Sequence, residues 1–172
     1  YVHYSETPGY VHLAGEYEHV AVLRTFSKVF GLAGLRIGFG VAPPMVIDAL
    51  LAIKTTWNMG QLQIAGAVAA LDDHDHLDRT IKTIVESRSY VQGRFEELDR
   101  FRMVPDSRSN FFLIEILDPD TDSNRIFDGL LERGVIVKDG SVSFRGLGKS
   151  FLRSDLNFTQ HNFTQNIFTM FN

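Results

Sequence analysis

Cysteine is absent from the 172 residues. That excludes disulfides and thiolate metal sites, and it fits a cytoplasmic setting. Positive charge is not in excess: 17 Lys and Arg stand against 21 Asp and Glu, a formal net charge of −4. This balance gives no electrostatic footprint for nucleic acid or an anionic membrane, so neither is expected as a partner. No apolar run approaches the ~18 residues that mark a membrane-spanning helix. The start shows no secretory signal pattern and no Met. It reads as sequence already inside a folded region, so the chain is expected to be a fragment at its front, with a divergent tail. What is present is ordinary globular material, 44% hydrophobic and 22% charged. Its length suits one domain with a sizeable core, or one domain plus part of another.

Hydrophobic patterning divides the chain. His19 to Thr25 (HVAVLRT) reads as a buried strand and Leu35 to Ala42 (LRIGFGVA) as another. Gly38 and Gly40 in the second suggest close approach by a neighbouring backbone. Pro44 suits the first turn of a helix over Met45 to Lys54. Thr55 to Gly60 reads as a break, and the alanine-rich Gln61 to Leu71 as helix. Asp72 and Asp73 suit the cap of a long amphipathic helix running to about Asp99. Its apolar face is Leu77, Ile81, Ile84, Val91, Phe95 and Leu98. Then come a loop at Pro105 to Ser109, a strand at Asn110 to Leu117 and a turn-rich segment at Asp118 to Asp122. A helix over Ser123 to Arg133 stops at Gly134. Short strands follow at Val135 to Lys138 and from Phe151, with a helix in the tail from Gln160. The order predicts an α/β fold split at the long helix, with a boundary near Gly60.

The stretch TFSKVFGLAGLRIGFG, Thr25 to Gly40, carries the chemistry. Lys28 lies between two strands, so Lys28 and Arg36 can return to one end of a sheet, where open α/β sheets bind ligands. A lysine attacks carbonyls once it has lost its proton, which desolvation or a neighbouring cation favours. Arg36 offers a planar fork to a phosphate, and Thr25 and Ser27 add hydroxyl donors. Together these groups suit a phosphorylated aldehyde held as a Schiff base, and pyridoxal 5'-phosphate is the common ligand of that description. A lone lysine beside a serine is ordinarily a solvated surface residue. The full pattern T-x-S-K-x-x-G-x-x-G-x-R between two strands is far more specific.

RTFSKVFGLAGLRIGFGVA resembles the cofactor-lysine segment of the histidinol-phosphate aminotransferase family, in the fold-type I group of pyridoxal-phosphate enzymes. SRSNFFLIEI, LLERGVIVKD and GLGKSFLR extend the resemblance, in the family's order, over most of residues 1–153. The resemblance implies an α/β C-terminal part of a fold-type I transferase. Residues 1–60 would be the end of the large cofactor-binding domain and its sheet. Residues 61–172 would be a small α/β domain including a long linking helix. Lys28 would hold the cofactor and shuttle the proton. Thr25, Ser27 and Arg36 would hold its phosphate, and Tyr1, matching the last residue of a D-x-A-Y motif, would hydrogen-bond its ring oxygen. Arg153 would grip the substrate's anionic group, and Asn110 would lie near the substrate. An amine or amino acid and a 2-oxo acid would be the substrates, and the full-length form would be a cytoplasmic homodimer. The aspartate of D-x-A-Y and the upstream half of the family's site are not in the sequence. Asn157 stands near the place of a family glycine.

The rival readings are an aminotransferase for aromatic or other amino acids, a decarboxylase on the same scaffold, and an inert remnant serving as a packing or dimerisation module. GLGKS, Gly146 to Ser150, looks like a phosphate loop but has Ser143 where the first glycine belongs. DDHDH, Asp72 to His76, is more simply a helix cap with carboxylates near the dipole's positive end than a metal site. Two N-F-T triplets, at Asn157 and Asn162, match the glycosylation pattern by chance. Trp57 is read as a core anchor, with a place at the substrate cleft as the alternative.

Overall fold

The computed structural model describes residues 1–5 and 7–156. By contacts these form two compact units, Tyr1 to Lys82 and Thr83 onward. The helix read for the tail from Gln160 lies outside the described residues.

The first unit opens with a 3₁₀ turn at Val2–Tyr4 and a one-turn helix α1 (Leu13–Glu16). Strands β1 (Val22–Thr25) and β2 (Gly38–Val41) pair antiparallel, Val22 opposite Val41 and Thr25 opposite Gly38. Gly38 is required by this pairing, because a Cβ there would sit 2.6 Å from the Arg24 carbonyl oxygen. Gly40 faces a side chain instead, with a Cβ placed 3.1 Å from Leu23 Cδ2. The reading of His19 to Thr25 as a buried strand is corrected here. Leu23 is 81% exposed, because β1 and β2 make a two-stranded sheet that buries alternate residues at most. Helix α2 (Pro44–Ile53) begins on its proline, as expected, and buries no residue. The break before α3 (Gln61–Asp72) holds Trp57, 94% exposed at φ +59°, so Trp57 is not a core anchor. The unit's core is Phe26, Ile37 and Ala67, with Phe30, Leu32, Leu35 and Ala70 packed around them.

Helix α4 (His74–Glu96) crosses the division between the units. Asp73 Oδ1 accepts from His76 N at 2.9 Å, the expected cap at its start.

The second unit is a four-stranded antiparallel sheet in the order β3-β4-β6-β5 with helices on it. Its strands are β3 (Phe101–Met103), β4 (Phe111–Ile116), β5 (Lys138–Asp139) and β6 (Phe151–Asp155). Phe112, Ile114 and Ile116 alternate inward along β4, and Leu152 and Ser154 along β6. Against this face pack Val91 and Phe95 of α4, and Ile126 and Leu130 of α5 (Ser123–Glu132), joined by Phe101, Val137 and Leu156. Ile84 and Leu98 extend the expected face of α4 onto the same core.

In this unit two local readings differ from the structure. β3 was not expected, because three residues with Arg102 in the middle carry too little alternation. β5 begins at Lys138 rather than Val135. Gly134, at φ +74°, ends α5, and its N–H bonds Leu131 O at 2.9 Å. Val135 N–H bonds Leu130 O at 2.9 Å, so Val135 belongs to the helix's C-terminal cap and cannot join the ladder. After β5, the one-turn helix α6 (Gly140–Ser143) and a 3₁₀ turn at Gly148–Ser150 lead into β6.

Candidate functional site

The connection between β1 and β2 is held from beneath by its apolar residues. Phe26, Val29 and Ile37 are buried, which leaves Ser27 and Lys28 on the open side. Phe26 N–H extends the hairpin by bonding Ile37 O at 3.2 Å, and Leu32 N–H returns to Phe26 O at 2.9 Å. Gly31, at φ +70°, closes a turn by donating to Lys28 O at 2.9 Å. A 3₁₀ turn at Ala33–Leu35 then delivers Arg36, itself left-handed at φ +50°. Helix α3 supports the loop at two points. Gln63 Nε2 donates to Leu35 O at 2.9 Å, and Gly66 leaves room for Leu35, whose Cδ1 a Cβ would meet at 2.8 Å.

Four of the sequence-proposed residues converge on this loop. Ser27 N–H donates to Thr25 Oγ1 at 3.0 Å. Arg36 Nη1 donates to Ser27 Oγ at 3.4 Å and to Ala33 O at 2.9 Å, which fixes the guanidinium over the loop. Lys28 Nζ lies 5.3 Å from the centroid of the Tyr1 ring. Tyr1 reaches that place through the Val2–Tyr4 turn, anchored by the buried Tyr4, whose phenol burial and the neighbouring Tyr1 push up to about 12. His3 lies beside Arg24, whose Nη2 is 3.2 Å from His3 Nε2, and edge-on to Phe30. Burial first, then the positive charge of Arg24, holds His3 below the usual imidazole value.

The donor set on this loop is one exposed guanidinium, two hydroxyls and one primary amine, and the stretch Thr25 to Arg36 contains no carboxylate. Such a set fits a phosphate monoester next to a carbonyl carbon: the fork and hydroxyls suit the dianion, and the amine suits the carbon.

Arg153 and Asn110 belong to the second unit. Arg153 is on β6, in register with Leu113 of β4 and Lys138 of β5. Its guanidinium lies over the Phe111 ring, 3.9 Å from the centroid, and its Nη2 donates to Asp155 Oδ1 at 2.8 Å. Asn110 precedes β4. Its carbonyl accepts from Leu156 N–H at 2.7 Å and its Oδ1 from Ser109 Oγ at 3.3 Å.

Sequence reasoning missed Phe111 and Asp155 as partners of Arg153. R-x-D on a strand was the available signal, since alternate residues share a face. It also missed a buried carboxylate. Asp139 Oδ1 accepts from Ser123 Oγ at 2.6 Å, Ser141 N at 2.8 Å and Ser141 Oγ at 2.8 Å, and its Oδ2 from Asn124 Nδ2 at 2.5 Å. Lys149 of the GLGKS stretch pairs with Asp122 at 3.4 Å.

A family model described as aminotransferase class I and II matches residues 2–165. Histidinol-phosphate aminotransferase of Methanopyrus kandleri is 38% identical over 144 residues, 84% of this chain and 36% of that protein. The chain therefore spans a little over a third of that relative. The crystal structure of the histidinol-phosphate aminotransferase from Clostridium acetobutylicum superposes with a TM-score of 0.89 at 19% identity, covering 99% of this chain and 52% of that one. The histidinol-phosphate aminotransferase from Sinorhizobium meliloti, solved in complex with pyridoxal-5'-phosphate, gives a TM-score of 0.74 at 24% identity, over 89% of this chain and 42% of that one.

Proposed function

We propose, for a chain that belongs to the class I and II aminotransferase family, that it carries the lysine side of a pyridoxal-phosphate aminotransferase acting on histidinol phosphate and a 2-oxo acid. The observation that carries this reading is the convergence of Arg36 and Ser27 at 3.4 Å, with Thr25 beside them, on the loop that presents Lys28 next to Tyr1. The names of curated relatives at 38% and 37% identity support histidinol phosphate as the amine.

Arg36, Ser27 and Thr25 would hold the cofactor's phosphate, and Lys28 its aldehyde carbon. Tyr1 would face the ring oxygen. When bound, the cofactor supplies an electron sink for the pair released as a substrate C–H bond breaks. Lys28 Nζ is the group that takes that proton and returns it at the next position. The Tyr1 ring lies where it can steady the ammonium form of Lys28. Arg153 would take the substrate's anionic group, with Asn110 nearby. On this reading residues 1–60 belong to a large cofactor-binding domain and 61–172 to a small one, and the full-length form is a homodimer. Among the described residues, no helix is long and apolar enough to cross a membrane.

Borohydride reduction in the presence of pyridoxal phosphate, followed by peptide mapping, tests the assignment. The label is expected on Lys28 and to vanish in Lys28→Ala. A label on another lysine would refute it.

A further inference from the structure

Arg153 is not a bare cation. Alternate residues of a strand share a face, so Arg153 and Asp155 of β6 lie side by side, and Nη2 donates to Asp155 Oδ1 at 2.8 Å. Phe111, the register partner of Asp155 on β4, holds the guanidinium plane 3.9 Å from its centroid. The pair is unequal: the Arg153 side chain is 17% exposed and that of Asp155 is 44% exposed. It is also incomplete among the described residues, which offer the buried Arg153 Nε no acceptor. Lys138, the register partner of Arg153 on β5, adds a second positive charge to the same neighbourhood.

We propose that Asp155 is a specificity-determining counter-ion that competes with the substrate's anionic group for Arg153. The inference rests on the reading of Arg153 as the anion contact. Asp155 engages one donor and, among the described residues, nothing engages Nε, and an unpaired buried donor is costly. An anion with two oxygens spanning Nε and Nη2 satisfies both donors and displaces Asp155. An anion offering one oxygen gains nothing over Asp155. The guanidinium stays put during the exchange, held by Phe111, while the more exposed carboxylate swings out. Arg153 therefore selects carboxylate, phosphate or sulfate forks over single-point anions, at reduced affinity for all of them.

The test uses the protein carrying this sequence, labelled with ¹⁵N-arginine and titrated with sodium sulfate. The Nε–H signal of Arg153 is identified by its loss in Arg153→Lys, which separates it from sulfate bound at Arg36. Asp155→Asn should bind sulfate at Arg153 about fivefold more tightly, the scale of a half-exposed ion pair. Asp155→Ser, a second neutral replacement, should do the same if the first disturbs folding, and Asp155→Glu should return the affinity toward the original. Chloride, which cannot span two donors, should shift the signal less than sulfate. Equal sulfate affinity with and without the Asp155 charge would overturn the counter-ion and leave Arg153 as an anion site. No sulfate response at Arg153 in any variant would overturn both.

Discussion

Arg36 Nη1 reaches back across nine residues to Ser27 Oγ, 3.4 Å away, and so ties the two ends of the lysine loop together. The same nitrogen caps the Ala33 carbonyl at 2.9 Å. The guanidinium is thereby positioned by the loop's own atoms.

Replacing Arg36 by Gln should remove the phosphate's charge partner. Loss of one charge-assisted contact costs about 1.5–3 kcal/mol, roughly a tenfold to hundredfold weakening. Spectrophotometric titration with pyridoxal phosphate measures it, and pyridoxal, which lacks the phosphate, is the control. A loss of the same size for both ligands would show that Arg36 does not read the phosphate.

Gly38→Ala should destabilise the β1–β2 hairpin. The new methyl would stand 2.6 Å from the Arg24 carbonyl oxygen, and a paired backbone has no room to yield. Overpacking of this kind costs about 1–3 kcal/mol. A lower denaturation midpoint checks it, and Gly34→Ala, whose added Cβ meets nothing within 4 Å among the described residues, should cost far less.

Asp139 should make the second unit acid-sensitive. Burial works to raise its pKa, but hydrogen bonds from Ser123 and Ser141 outweigh burial and hold it below the ordinary aspartate value of 3.8. A depressed folded value means stability that is fully present above 3.8 and lost as pH falls through the lower folded value. Urea midpoints between neutral pH and the acid limit should fall in that window. Asp139→Asn should flatten the acid limb and cost about 1–3 kcal/mol at neutral pH by leaving donors unmatched. An unchanged acid limb in Asp139→Asn would contradict the assignment.

Trp57 is the sole tryptophan and is 94% exposed. Its fluorescence in this chain should resemble that of indole in water and be readily quenched by acrylamide. Trp57→Phe should change stability by no more than about 0.5 kcal/mol, as for other surface replacements. Strong protection from quencher would refute the exposure.

Much of the fold was legible wherever pattern and punctuation agreed. Pro44 at the start of α2, Asp73 capping α4 and Gly134 ending α5 act through backbone chemistry confined to a few residues. The β4 alternation and the α4 stripe were equally plain, because both bury one face against one core. β3 and the start of β5 were not, because short edge pairing depends on the neighbouring strand and on how the preceding helix ends. Trp57 and Leu23 were misplaced for a related reason: an apolar side chain is buried only where another layer covers it.

The candidate site divides the same way. The residue types and spacing of T-x-S-K-x-x-G-x-x-G-x-R were enough to nominate Lys28, Thr25, Ser27 and Arg36, because a tight glycine-bearing loop between two paired strands returns its ends to one edge. The linear order could not show that Arg36 bonds Ser27, that Tyr1 covers Lys28, or that Asp155 and Phe111 hold Arg153. Those pairings join residues through strand register and loop closure. Local propensity and spacing are written in the chain, whereas the partner each charge finds was decided only when folding brought distant segments within hydrogen-bond reach.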